Sequence, residues 1–279
     1  MWVGQQLADG LDFWGFLGSL ILGGIILGIY TGLLGYVGAK TGLSLDLLSQ
    51  RAFGEKGSYL PSAMTSFTQI GWFGVGSFVS GGTATPNFAR FAKNGKSGAI
   101  TTVVAFFIGN SLMFFFGAVS SIFVGGNDIF EVMVRLNLFY LAVLVLGLNI
   151  WTTNDNALYT AGLGLANIFH QRKKPMVLLS GIIGTVASVW LYYNFCGWLN
   201  ILNCTLPPVG IILVLAYFMN KEDFETDQPK LKTIDWFAVA GVILGAIVAN
   251  LLHWGIASIN GMVVAAVCYC VGQAVNKRK

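Results

Sequence analysis

Long hydrophobic runs fill this chain and stop at short polar clusters. A bilayer core of ~30 Å takes about 20 apolar residues of helix. Eight runs meet or approach that length. They are A (about 13–39), B (63–88), C (98–124), D (138–165), E (176–195), F (197–219), G (236–254) and H (257–275). The pattern predicts an all-α integral membrane protein. Residues 1–279 form a single transmembrane domain, with about seven spans plus one re-entrant or broken segment.

Charge placement orients the spans. Cytoplasmic loops collect Lys and Arg. Arg172, Lys173 and Lys174 follow D, Lys221, Lys230 and Lys232 follow F, and Lys277-Arg278-Lys279 end the chain. The connections between C and D, E and F, and G and H hold a single basic residue, Arg135. C to H therefore alternate as six spans, with the C-terminus cytoplasmic.

Segment B does not fit that alternation. Lys40, Arg51 and Lys56 precede it, and Arg90, Lys93 and Lys96 follow it. Both flanks favour the cytoplasm, which a single span cannot deliver. Gly71, Gly74, Gly76, Gly81 and Gly82 crowd its centre. Two short helical pieces meeting at a break near 74–82 satisfy both observations. Broken backbone at membrane depth is tolerated only when it is buried in protein or lines a cavity.

Composition removes the soluble alternatives. Hydrophobic residues make up 55% of the chain and charged residues 10%, against roughly 25% charged in soluble domains. The mean hydropathy is +0.71. Lipid is the solvent for much of such a surface. The net charge of +4 follows from topology and calls for no nucleic acid. Residues 1–12 lack a basic start and a cleavage site, so they are not a signal peptide. They read more as a loop than as a beginning.

Candidate chemistry lies in D and B. On a helix, Asn149, Thr152, Thr153 and Asn156 share an arc of about 100°, an oxygen-rich stripe suited to a hard cation. Asp155, at its edge, is the ionisable residue deepest in any run. An intramembrane carboxylate is a functional candidate by default. The alternative is interhelical hydrogen bonding with no ligand. Asn154 faces away from Asn149. In B, Gln69, Trp72, Phe73, Phe78 and Ser80 offer aromatic faces for a planar heterocycle and an amide to read its edge; ordinary aromatic packing is the alternative.

The remaining features have plainer readings. Gly24, Gly28 and Gly32 form a helix-packing face. Cys196, Cys204, Cys268 and Cys270 lack metal-ligand spacing and read as small hydrophobes. His170 and His253 sit near span ends. Protease, P-loop and hydrolase motifs are absent, so the chain is not read as an enzyme.

Four strings resemble the nucleobase:cation symporter family, in its bacterial cytosine-permease branch. They are Gly28–Leu43 (GIYTGLLGYVGAKTGL), Thr68–Gly76 (TQIGWFGVG), Gly147–Tyr159 (GLNIWTTNDNALY) and Pro207–Gly210 (PPVG). The resemblance implies a leucine-transporter-type fold and symport of cytosine or a related nucleobase with sodium by alternating access. It implies neither an organic cofactor nor a nucleic acid partner. Gln69, Trp72, Phe78, Ser80, Asn149 and Asn154 are then substrate candidates. Asn149, Thr152 and Thr153 form half of a sodium site.

The family has twelve helices. The resemblance implies that this chain starts within the first of them. It also implies that Gly74-Val-Gly76 joins the front of the third helix to the back of the sixth, with an internal segment missing. The other half of the sodium site would precede residue 1, so sodium binding is expected to be weakened or lost. A transport-incompetent remnant that only inserts in the bilayer is the competing expectation. A symporter of this kind sits in the bacterial inner membrane.

Overall fold

The computed structural model describes residues 12–75, 81–125, 129–226, 229, 231–252 and 254–276, and these are helical with connecting turns. The order is α1 (Phe13–Thr41), α2 (Leu45–Phe53), α3 (Tyr59–Val75), α4 (Gly81–Ala84) and α5 (Pro86–Ala89). Then come α6 (Gly95–Val124), α7 (Ile129–Arg135), α8 (Phe139–Phe169), α9 (Lys173–Tyr193), α10 (Phe195–Met219), α11 (Lys221–Glu225), α12 (Trp236–Leu251) and α13 (Ala257–Asn276).

The helices α1, α6, α9, α10 and α13 are each long and apolar enough to cross a membrane. At 31 residues, α8 is longer than any of them, and its run from Asn149 to Asn156 interrupts its apolar stretch. The 16-residue α12 is apolar and shorter. Segments A and C to H thus each become one helix. Their outer faces are greasy, as lipid requires: Val186 and Val189 on α9 are 79% and 67% exposed. The protein is a multi-pass membrane protein.

Local sequence sets the ends of α1. Asp12 caps its start by accepting from the Gly15 amide, and Gly42, at φ 68°, ends it in the left-handed region that glycine adopts without strain. The glycine stripe of α1 packs antiparallel against α6. A Cβ on Gly24 would meet the Phe107 ring at 2.9 Å, and one on Gly32 would overlap Val103. At this contact α6 turns through a π-helical stretch, Val104–Gly109, which widens the helix by one residue where the two meet.

The main core joins α1, α2, α10, α12 and α13. Leu34, Leu48, Phe53, Ile212, Tyr217 and Tyr269 are buried together there. Loop contacts draw the basic residues to this end of the bundle. Lys40 pairs with Glu225 at 3.8 Å, Arg51 donates to the carbonyls of Asp223 and Thr226, and the Glu55 and Lys56 amides bond to the carbonyls of Lys232 and Thr233. At the opposite end Arg135 bonds to Glu131 and to the Val124 carbonyl.

Segment B enters and leaves at this basic end. The start of α3 lies against α2 and α8: Ser62 bonds to Asp46 and Tyr59 to His170. On the way back, Asn87 in α5 accepts from the Leu45 amide at the start of α2, 2.8 Å away. Pro86 lies against Gly38 near the end of α1. The two limbs are unequal. The first is a 17-residue helix, longer than the ~12-residue piece that equal division of the segment gives. The return is two four-residue helices. Residues 76–80, the middle of the break expected near 74–82, lie outside the described residues.

Candidate functional site

The limbs of segment B, the π-helical part of α6 and the polar stripe of α8 enclose a cavity of about 950 Å³. That is near the upper end of the roughly 300–1,000 Å³ of small-molecule sites. Asn149, Thr152, Thr153 and Asn156 line it from α8, and Gln69 lines it from α3. The helical period that predicts one polar face on segment D is realised as one cavity wall.

The wall has two depths. Asn149, Thr152 and Asn156 are exposed through the cavity's open side, whereas Gln69 is buried. Thr152 Oγ1 donates to the carbonyls of Leu148 and Asn149, both at 3.1 Å. Its donor is thereby used and its lone pairs are left for a ligand. Asp155 does not line this cavity. It stands exposed on another face of α8, because at 100° per residue it falls about 60° outside the edge of the stripe at Thr152. Asn154 is also off the cavity, and its Oδ1 is buried without a hydrogen-bond partner among the described residues. The Trp72 side chain, Phe78 and Ser80 lie outside the described residues.

Aromatic cover comes from residues with no distinguishing sequence signal. Phe88 and Phe91 reach the cavity from the return limb, and Phe106 from the π-helical stretch. Phe88 also lies against Tyr159, ring centroids 6.2 Å apart, while Arg90 donates to the Tyr159 hydroxyl. The return limb is thus fastened to α8 just below the cavity. Tyr30 on α1 bonds to Thr83 at 2.8 Å, in space left by Gly210 on α10, where a Cβ would overlap the phenol. The glycine of the Pro-Pro-Val-Gly string therefore admits the tyrosine that holds the return limb.

The buried carboxylate of this region is Asp46, in the short helix α2, and not Asp155. Burial pushes its pKa from 3.8 up to about 6, against the opposing effects of the Ser62 hydrogen bond, its own backbone amide and the Arg90 guanidinium. The sequence around Asp46 carries no signal of burial. Burial comes from the folding of α3 over α2.

Comparison with known proteins agrees with this architecture. A family model described as permeases for cytosine/purines, uracil, thiamine and allantoin matches residues 1–83 and 75–275. The chain belongs to this family. Its relatives include the cytosine permease of Escherichia coli K12, 36% identical over 372 residues, which cover all of this chain and 88% of that protein; the cytosine permease of E. coli O157:H7 matches equally. The allantoin permease of Bacillus subtilis 168 is 34% identical over 82 residues, 29% of this chain and 16% of its own length. These relatives are named as permeases, not as enzymes. The 372 aligned positions exceed the 279 residues of this chain by 93, so the chain is the shorter of the pair. The two family-model matches meet at residues 75–83, within segment B.

Proposed function

We propose that this protein binds cytosine or a related nucleobase in the cavity between segment B and α8 and carries it across the bacterial inner membrane. The observation that carries this reading is that Gln69 and the α8 stripe, on separate helices, line one cavity. A ring stacks on aromatic faces such as Phe88 or Phe106, and its polar edge pairs with the amides of Gln69, Asn149 or Asn156. Trp72, Phe78 and Ser80 complete the proposed substrate set; Asn154, read from the resemblance as a further contact, lies on another face of α8 and stands outside it. The relatives' names support the choice of base. The mechanism is alternating access on a partial leucine-transporter-type fold. Sodium binds at Asn149, Thr152 and Thr153 and favours the state that receives the base. The gathering of basic loops at one end supports a cytoplasmic C-terminus. A reporter fused after Lys279 should then be active in the cytoplasm, and periplasmic activity would reverse the topology.

A second reading is a remnant that inserts without transporting. The family's third and sixth helices join near Gly76–Ser77 in this reading, and the cavity lacks the helices that would close it. The exposure of Asn149, Thr152, Asp155 and Asn156 supports it. Uptake of labelled cytosine, with and without sodium, in cells lacking their own permease separates the two. Uptake above the empty-vector level supports the first reading. Its absence, with the chain present in the membrane, supports the second.

A further inference from the structure

Thr160 continues the α8 stripe beyond Asn156 and lines the cavity at the end nearer the basic loops. Just below it, the Ser66 hydroxyl donates to the Ala161 carbonyl at 3.1 Å and closes the floor between α3 and α8. Thr160 is 2% exposed, and its hydroxyl has no hydrogen-bond partner among the described residues.

That is unusual within this fold. A threonine in a helix can satisfy its hydroxyl on the carbonyl three or four residues earlier. Thr31, Thr68, Thr102, Thr152, Thr185 and Thr205 all do so here. A buried hydroxyl with no partner costs roughly 1–3 kcal/mol. Thr160 forgoes the local bond while lining a cavity whose other polar walls include Gln69, Thr85 and Asn156.

We infer that the Thr160 hydroxyl is a substrate contact: it pairs with a polar ring edge, an N–H or C=O of a planar heterocycle, bound at the inner end of the cavity. This rests on the nucleobase reading above. It adds a station below the Asn149–Asn156 wall, where the base meets Gln69 and Thr160 together before release towards the basic end.

Thr160→Val removes the hydroxyl at nearly constant volume, and Thr160→Ser retains it. Binding of labelled cytosine to the purified chain in lipid nanodiscs is measured for each, with ligand-free melting alongside. The expected result is about tenfold weaker binding for T160V, the loss of one hydrogen bond. T160S stays within about twofold of the unmodified chain, and ligand-free T160V melts no lower than that chain. Unchanged binding by T160V would mean that the base does not reach the hydroxyl, and would overturn the inference while leaving the nucleobase reading intact. Lower ligand-free melting of T160V would assign the hydroxyl to the fold and overturn it as well. No binding by the unmodified chain would overturn the nucleobase reading, and this inference with it.

Discussion

The Ser62 hydroxyl donates a 2.6 Å hydrogen bond to the Asp46 carboxylate, and both residues are buried. Ser62 also accepts from Asn167 on α8 at 2.9 Å, and Asn167 accepts from Gln50 on α2 at 2.6 Å. One polar knot therefore ties the base of α3, whose other end carries Gln69, to α2 and α8. Arg90 on the return limb attracts the same carboxylate.

The knot should make stability pH-dependent with an unusual sign. The Asp46 pKa is raised from 3.8 to about 6 in the fold. Between those values the folded chain holds a proton that the unfolded chain has released. This contribution is fully present below pH 3.8 and is lost as pH rises through about 6, in total roughly 3 kcal/mol. The melting temperature in detergent should therefore fall between about pH 4 and 6. Asp46→Asn keeps an oxygen that accepts from Ser62 and cannot ionise, so it should flatten that slope. An unaltered slope in D46N would assign the pH dependence to another group.

Much of the fold was legible because lipid imposes a simple rule on sequence. Runs A and C to H needed only length and apolarity, and each became a helix. The α8 stripe was legible because helical period alone places 149, 152, 153 and 156 together. Asp155 misled, since depth in a run says nothing about which neighbour a face meets. Asp46 and Thr160 were invisible for the converse reason. Each has an ordinary local sequence, and each owes its burial to elements distant along the chain. The aromatic cover failed in the same way: Phe88 and Phe106 are two of 21 phenylalanines, and only packing selects them.

The return limb depends on close backbone approach. A Cβ on Gly38 would stand 2.8 Å from Pro86 Cα and 3.2 Å from its carbonyl oxygen, neither of which can rotate aside. Gly38→Ala should destabilise by about 1–3 kcal/mol, the usual cost of overpacking, read as a lower melting temperature. Gly18→Ala is the control, because nothing lies within 4 Å of its Cβ position. Equal melting of the two variants would show that the return limb is not held there.

Segment B should be accessible from one side at both ends. Asn87 and Ser62 both reach α2, through Leu45 and Asp46. Single cysteines replacing Tyr59 and Lys93 should therefore both react with an impermeant thiol reagent applied from the cytoplasmic side. The background chain has Cys196, Cys204, Cys268 and Cys270 removed. Labelling from opposite sides would mean a full crossing between them and would refute the hairpin.

Sodium should matter less here than a complete ligand shell would make it. Asn149, Thr152 and Thr153 present oxygens from one face of one helix. Asn149 and Thr152 are exposed, so water competes for any ion they hold. Hard cations are held by several oxygens that replace their hydration shell, and a three-oxygen wall open on one side replaces only part of it. Exchanging sodium for choline should shift cytosine affinity by no more than about threefold, well under 1 kcal/mol. The Thr152→Ala, Thr153→Ala double variant should remove whatever dependence remains, while melting close to the unmodified chain in choline, since the Thr152 hydroxyl bonds within α8 and neither hydroxyl bonds to another helix among the described residues. A large sodium effect that survives in the double variant would place the ion elsewhere and end the reading of the α8 stripe as a cation site.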